Sequence, residues 1–263
     1  MNILLTVSYD GSAYCGWQFQ ENGLTVQEVL ETALSKYYHS KIRVAGASRT
    51  DSGVHALGQR VLFSVANPLC PLDKLPEVIN AILPPNVVIT AAVKVVDGFQ
   101  PTRNALKKTY IYNICNSAYP NPLVRNTSAA VRVRLDIEAM QRAAGFFVGT
   151  FDFAGFCSAG GSAKTTMRTV FECEIRNSGD MITLKITGNG FLYNMVRIIA
   201  GTLIEVGLGK KKAEEISEII ASKERNLAGI TAPANGLVLF EVVYDERDFI
   251  VTRKTLDRSE VFE

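Results

Sequence analysis

Residues 45–59 read AGASRTDSGVHALGQ, with Arg49, Asp51 and His55 set among glycines and other small residues. Strand-like runs flank them, KIRVAG (41–46) before and QRVLFSV (59–65) after. The polar residues therefore occupy a connection between two strands. Asp-Ser-Gly alone is ordinary turn chemistry, but this connection is longer and more polar than a hairpin needs. Thr50, Ser52 and the N–H groups of a tight turn can hold a carboxylate ionised, and an ionised, oriented carboxylate serves as nucleophile or base. Arg49 stands two residues from Asp51, so on an extended backbone both side chains point to one face. Such a pair suits a phosphate-bearing substrate.

Outward from the turn, the chain alternates strand and helix patterns. NILLTVSY (2–9) reads as a strand. Thr25-Val26-Gln27-Glu28 has the spacing of a capping box, and Val26, Leu30, Ala33, Leu34 and Tyr37 share one face of a helix over 25–39. A helix over 72–82, closed by Pro84-Pro85, precedes a strand at 87–95. The plan then repeats in outline. LKKTYIYNI (106–114) and VRVRL (131–135) read as strands, and Asp136 caps a helix with Ile137, Met140, Ala144 and Phe147 on one face. TVFECEI (169–175) and MITLKITG (181–188) are strands, helices follow over about 191–206 and 212–223, and GLVLFEVVY (236–244) closes the set. The class is α+β, with two similar halves meeting near residue 105: an N-terminal domain, 1–105, and a C-terminal domain, 106–263.

Composition sets limits on function. The 263 residues are 47% hydrophobic and 21% charged, enough for a sizeable core. Five cysteines, Cys15, Cys70, Cys115, Cys157 and Cys173, are odd in number and never paired as C-x-x-C, so they read as buried or idle thiols. The net charge of +2 permits an anionic partner without demanding one. No apolar run approaches the roughly 20 residues of a membrane span, and the chain opens on a strand pattern without a secretory leader, so a cytoplasmic location with no membrane association is expected. Gly207-Leu208-Gly209-Lys210 lacks the spacing of a phosphate-binding loop, and Gly188-Asn189-Gly190 lacks the third glycine of a dinucleotide fingerprint. Only two histidines are present, His39 and His55. Neither cofactor nor metal is expected.

The string GASRTDSGVHALGQ resembles the signature of the TruA family of tRNA pseudouridine synthases, whose Arg-Thr-Asp-x-Gly-Val-His core carries a single catalytic Asp. Four more ordered stretches extend the resemblance over nearly the whole chain: YDGSAYCGWQ (9–18) with TVQEVLE (25–31), KKTYIY (107–112), FLYNMVRIIAGTLIEVG (191–207) and TAPANGLVLFEV (231–242). The resemblance implies two α/β halves with mainly antiparallel sheets around a central active-site cleft. It implies Asp51 as nucleophile, Arg197 paired with it, Arg49 displacing the target nucleotide from its stack, and Tyr110 packing on the uracil. A stacked uridine must be flipped out before attack, which is why a cation and an aromatic platform are needed.

The same resemblance implies tRNA as partner, a homodimer whose cleft takes the RNA, and uridines at tRNA positions 38, 39 and 40 of the anticodon arm as targets. Candidate RNA contacts are Arg103, Lys107, Lys108, Arg132, Arg134, Lys164, Arg168 and the lysines at 210–212. His55 is expected to hold the loop, and Trp17 and Phe19 to pack in the core or in the loop. The chain departs from the family pattern at Ser48, commonly Gly, at Gln100, Thr102 and Arg103, and at Cys157, with consequences expected for RNA contacts and target choice. Two other readings stand beside this one: a catalytically silent tRNA-binding scaffold, and an Asp-dependent hydrolase of phosphorylated small molecules.

Overall fold

The computed structural model describes residues 1–161 and 163–250; the last thirteen residues of the expected C-terminal half lie outside them. Its frame is a sheet in which β1 (Asn2–Tyr9), β3 (His55–Ser64) and β4 (Val87–Val95) are joined to β5 (Lys107–Asn116), β9 (Met181–Gly188), β8 (Met167–Ser178) and β7 (Gly149–Asp152) by β10 (Leu237–Val243). The order is β4-β1-β3-β10-β5-β9-β8-β7, with β2 (Ala45–Gly46) added to β3 and β6 (Ala129–Val131) to β5. Pairing is antiparallel except for β10 on β3 and β6 on β5. The last strand thus lies between the two halves and makes their sheets continuous. Among the described residues, no helix is long and apolar enough to cross a membrane.

The helices follow their local signals. Thr25 accepts from the Glu28 N–H at 3.3 Å and opens α1 (Val26–Tyr38), whose Val26, Leu30, Ala33 and Leu34 are buried; His39 ends it in the left-handed region at φ 49°. Asp136 accepts from the Ala139 N–H at 2.9 Å and opens α3 (Ile137–Gly145), which buries Met140 and Ala144.

Where the structure departs from the sequence reading, side chains have replaced strand partners. Of the expected strand at 41–46 only Ala45–Gly46 joins the sheet, because the Ile42 and Val44 N–H groups donate to Ser35 Oγ (2.9 Å) and Glu31 Oε1 (3.1 Å) on α1. The expected strand at 131–135 lies instead at Ala129–Val131. Past it the Asn116 amide donates to the Val131 and Val133 carbonyls and accepts from the Leu135 N–H. The helix expected over 72–82 is α2 (Leu75–Asn80), and that over 212–223 is α5 (Glu215–Ser222). The helix expected from 191 is α4 (Met195–Gly207), since Asn194 sits at φ 60° and breaks the helical run before it. β3 begins four residues earlier than expected, at His55, and β7 carried no sequence signal.

Helix α4 is held against the segment before β10. The Ala232 N–H donates to the Arg197 carbonyl at 3.1 Å, and the Gly229 N–H to Thr202 Oγ1 at 2.8 Å. A Cβ at Gly201 would fall on the Ile230 carbonyl oxygen. We therefore expect Gly201→Ala to destabilise the fold by about 1–3 kcal/mol, read as a lower denaturant midpoint at unchanged slope.

Candidate active site

The turn 47–54 is fixed from several sides. The Trp17 N–H donates to the Thr50 carbonyl at 3.0 Å, Ser52 Oγ to the Tyr14 carbonyl at 3.2 Å, and the Val54 N–H to the Asp51 carbonyl at 3.1 Å. The Tyr9 hydroxyl meets Thr50 Oγ1 at 2.7 Å. Gly16, at φ +93°, lets the 15–17 segment run against the turn, for a Cβ there would sit 2.8 Å from the Thr50 carbonyl oxygen. Ser48 does not fall among the residues of positive φ, so its backbone asks for no glycine.

Asp51 leaves this turn toward Arg197 on α4, Nη1 to Oδ2 at 3.0 Å, with about a fifth of each side chain exposed (18% and 22%). The guanidinium is itself held: Nε donates to the Ala232 carbonyl at 2.8 Å and Nη1 to Asn194 Oδ1 at 2.9 Å. Asn194 in turn donates to Ser158 Oγ at 3.0 Å. A cleft of about 440 Å³ opens beside the pair, lined by Arg49, Asp51, Lys108, Tyr110, Phe191 and the Gly160-Gly161 loop among others. Tyr110 is nearly buried on β5, its ring edge-to-face with Phe191 at 5.3 Å. Burial pushes its hydroxyl up to about 12, with the negative charge of Asp51 adding to the effect, so the phenol stays protonated. Lys108 Nζ donates to the Ala47 carbonyl at 2.6 Å; burial, and then the positive charge of Arg168, bring its ammonium down to about 8.

Of the residues singled out in the sequence, Asp51, Arg197, Tyr110, Arg49 and Lys108 are brought to this cleft or its edge. Arg103 and Lys107 are exposed outside its lining, and Arg168 folds onto its own loop, Nη1 donating to the Thr165 and Met167 carbonyls. Among the departures from the family pattern, Thr102 lines the cleft. Trp17 is buried, and Phe19 is half exposed at 50% on the loop before α1. His55 is buried: its Nδ1 lies 3.1 Å from both the Gly11 N–H and Asp10 Oδ1, and its Nε2 meets the Asn126 carbonyl at 2.7 Å, so the ring ties the turn to two other segments. Asn194 and Phe191 escaped sequence reading. Both lie where a continuous helix was expected, and only the break at Asn194 exposes their roles.

Comparison with known proteins gives this geometry a family. The model described as tRNA pseudouridine synthase matches residues 5–98 and 143–245. Two relatives called tRNA pseudouridine synthase A, from Thermoanaerobacter sp. strain X514 and from Acetivibrio thermocellus, are 45% and 46% identical over 243 residues, 92% of this chain and 99% of theirs. The chain belongs to the tRNA pseudouridine synthase family, isomerases that convert uridine to pseudouridine.

The Lys108 ammonium has a consequence for stability. Its folded pKa of about 8 lies below the ordinary 10.5, so between these values the unfolded chain binds more protons and stability from this group rises with pH. The advantage of Lys108→Met over the wild type, measured by denaturant unfolding, is therefore expected to be largest near neutrality. It should shrink by up to about 1.4 kcal/mol per pH unit above pH 8.

Proposed function

We propose that the chain isomerises uridines of the tRNA anticodon arm, at positions 38, 39 and 40, with Asp51 as the nucleophile. The observation that carries this reading is the Asp51–Arg197 pair at the edge of a cleft large enough for a nucleoside, with an aromatic ring inside. The guanidinium holds the carboxylate in a fixed direction. The carboxylate attacks a flipped-out uridine at C1′ or at the uracil ring, and the C–N glycosidic bond breaks. The base then turns, a C–C bond forms to the ribose, the bond to Asp51 breaks and frees its carboxylate, C5 loses its proton and N1 gains one. No electrons enter or leave.

Each half of the chain, 1–105 and 106–263, supplies part of the site: Asp51 and Arg49 from the first, Tyr110 and Arg197 from the second. Tyr110 acts as a platform for the base, and Arg49 takes part in extruding it. Arg103, Lys107, Lys108 and Arg168 contact the RNA, a second copy of the chain completes its binding surface, and the enzyme works in the cytoplasm.

Wild type and Asp51→Ala are to be incubated with unmodified tRNA transcripts and pseudouridine mapped by chemical adduct and primer-extension stops. Stops in the anticodon arm with wild type alone, and a loss of at least about a thousandfold in the variant, are expected. RNA binding by both proteins without a stop from either would turn the reading into a silent scaffold, and phosphoester hydrolysis in place of isomerisation into a hydrolase. RNA affinity is also expected to fall with salt, and replacing both Arg103 and Lys107 by Gln should lower the slope of log K against log salt by about one to two, measured by titration at several ionic strengths.

A further inference from the structure

One edge of β3 is covered by β1 along its length, from Tyr9 opposite Ala56 to Asn2 opposite Ser64. The other edge changes partner midway: β10 pairs with His55 and Ala56, and β2 with Val61 and Leu62. The Ala47 N–H still donates to the Arg60 carbonyl at 2.8 Å, so the next position of the ladder would set Ser48 against Gln59. There the backbones part. Instead the side chain of Gln59 reaches across: Nε2 donates to the Ser48 carbonyl at 2.7 Å, and Oε1 accepts from the Ser48 N–H at 3.2 Å. Oε1 also accepts from the Arg60 N–H at 3.2 Å. Gln59 is wholly buried and touches no open part of the cleft. One amide thus satisfies both backbone polar groups of Ser48 while the chain swings away from the sheet to form the turn that carries Arg49 and Asp51.

A second hold lies two residues further on. Tyr9, on the neighbouring strand β1 and 4% exposed, sets its hydroxyl on Thr50 Oγ1 at 2.7 Å. Burial keeps that phenol protonated, with the Thr50 hydroxyl offsetting part of the effect. Asp51 therefore follows a segment pinned at Ser48 by Gln59 and at Thr50 by Tyr9, and meets Arg197 from a fixed origin.

The geometry points to Gln59 and Tyr9 as positioning residues that set the carboxylate of Asp51 for attack without touching the RNA. This rests on the reaction proposed above. Loss of either hold leaves the cleft and its cations in place, so RNA binding persists, but the carboxylate samples orientations from which it does not reach its target. A misplacement of about 1 Å in a reacting group costs on the order of a hundredfold in rate.

The test is the rate of pseudouridine formation on an unmodified tRNA transcript for wild type, Gln59→Leu, Gln59→Glu and Tyr9→Phe, with kcat and KM separated and each thermal midpoint recorded. Gln59→Leu is expected to lower kcat at least tenfold with KM within twofold of wild type. A carboxyl at 59 reproduces both bonds to Ser48 only when protonated, and burial raises its pKa. Tyr9, kept protonated by burial, lies against it; Tyr110, also protonated, lies by Ser48, the Lys108 ammonium sits on Ala47, and Arg60 follows on β3. The Gln59→Glu rate is thus expected to recover as pH falls, while that of Gln59→Leu stays low. Tyr9→Phe removes one hydroxyl and no packing, and its kcat should fall several-fold even where Gln59→Leu is too unstable to assay.

Wild-type kcat in Gln59→Leu and Tyr9→Phe, or a fall in kcat matched by an equal rise in KM, overturns the inference. So does a rate loss in Tyr9→Phe that tracks its thermal midpoint. Absence of product with wild type would instead remove the underlying reaction.

Discussion

The guanidinium of Arg197 is the point on which the site converges. Its bonds to Asp51, to the Ala232 carbonyl and to Asn194 tie together the turn before β3, the segment before β10 and the start of α4. Arginine suits this position because its donors form a rigid planar fork and its charge does not titrate away. A lysine has a point charge and a flexible stem and does not hold three acceptors in fixed directions. The pair joins residues 146 apart in sequence, so it exists only once both halves of the sheet are assembled.

That assembly depends on β10. By pairing parallel to β3 and antiparallel to β5, it brings the start of β3, and hence the Asp51 turn, beside Tyr110 on β5. The close approach of α4 to residues 229–232, at the glycine of position 201, sets the depth from which Arg197 reaches across. The contacts that close the sheet thus also fix where the Asp51 carboxylate lies. Polar side chains, buried at Glu31 and Gln59 and half-buried at Asn116, complete the frame. Glu31, Asn116 and Gln59 each take over backbone groups where a strand leaves the sheet, meeting the requirement that buried N–H and C=O groups be paired.

Local signals were legible wherever one kind of interaction decided the outcome. The caps at Thr25 and Asp136 and the alternating runs of β1, β4, β8 and β9 stand where periodicity put them. Two of the departures share a cause: at 41–44 and 132–135 the backbone bonds to side chains of another element, Ser35 and Glu31 of α1 or Asn116 of β5, which a strand pattern does not encode. At 191–194 an apolar run suitable for a helix is interrupted by one left-handed asparagine whose amide is needed by Arg197.

By itself the sequence determined the class of the fold, most of its elements, and the candidates Asp51, Tyr110 and Arg197, because the turn composition, the 2.0 and 3.6 periodicities and the family-like strings are all local properties of the chain. Tertiary structure alone decided that Asp51 and Arg197 lie 3.0 Å apart, that Lys108 points inward while Lys107 stays outside the cleft, and that Gln59 stands in for a missing strand. These are facts of distance and burial. They arise when strands far apart in sequence pair with one another, and every buried donor and acceptor must then find its partner in the space that remains.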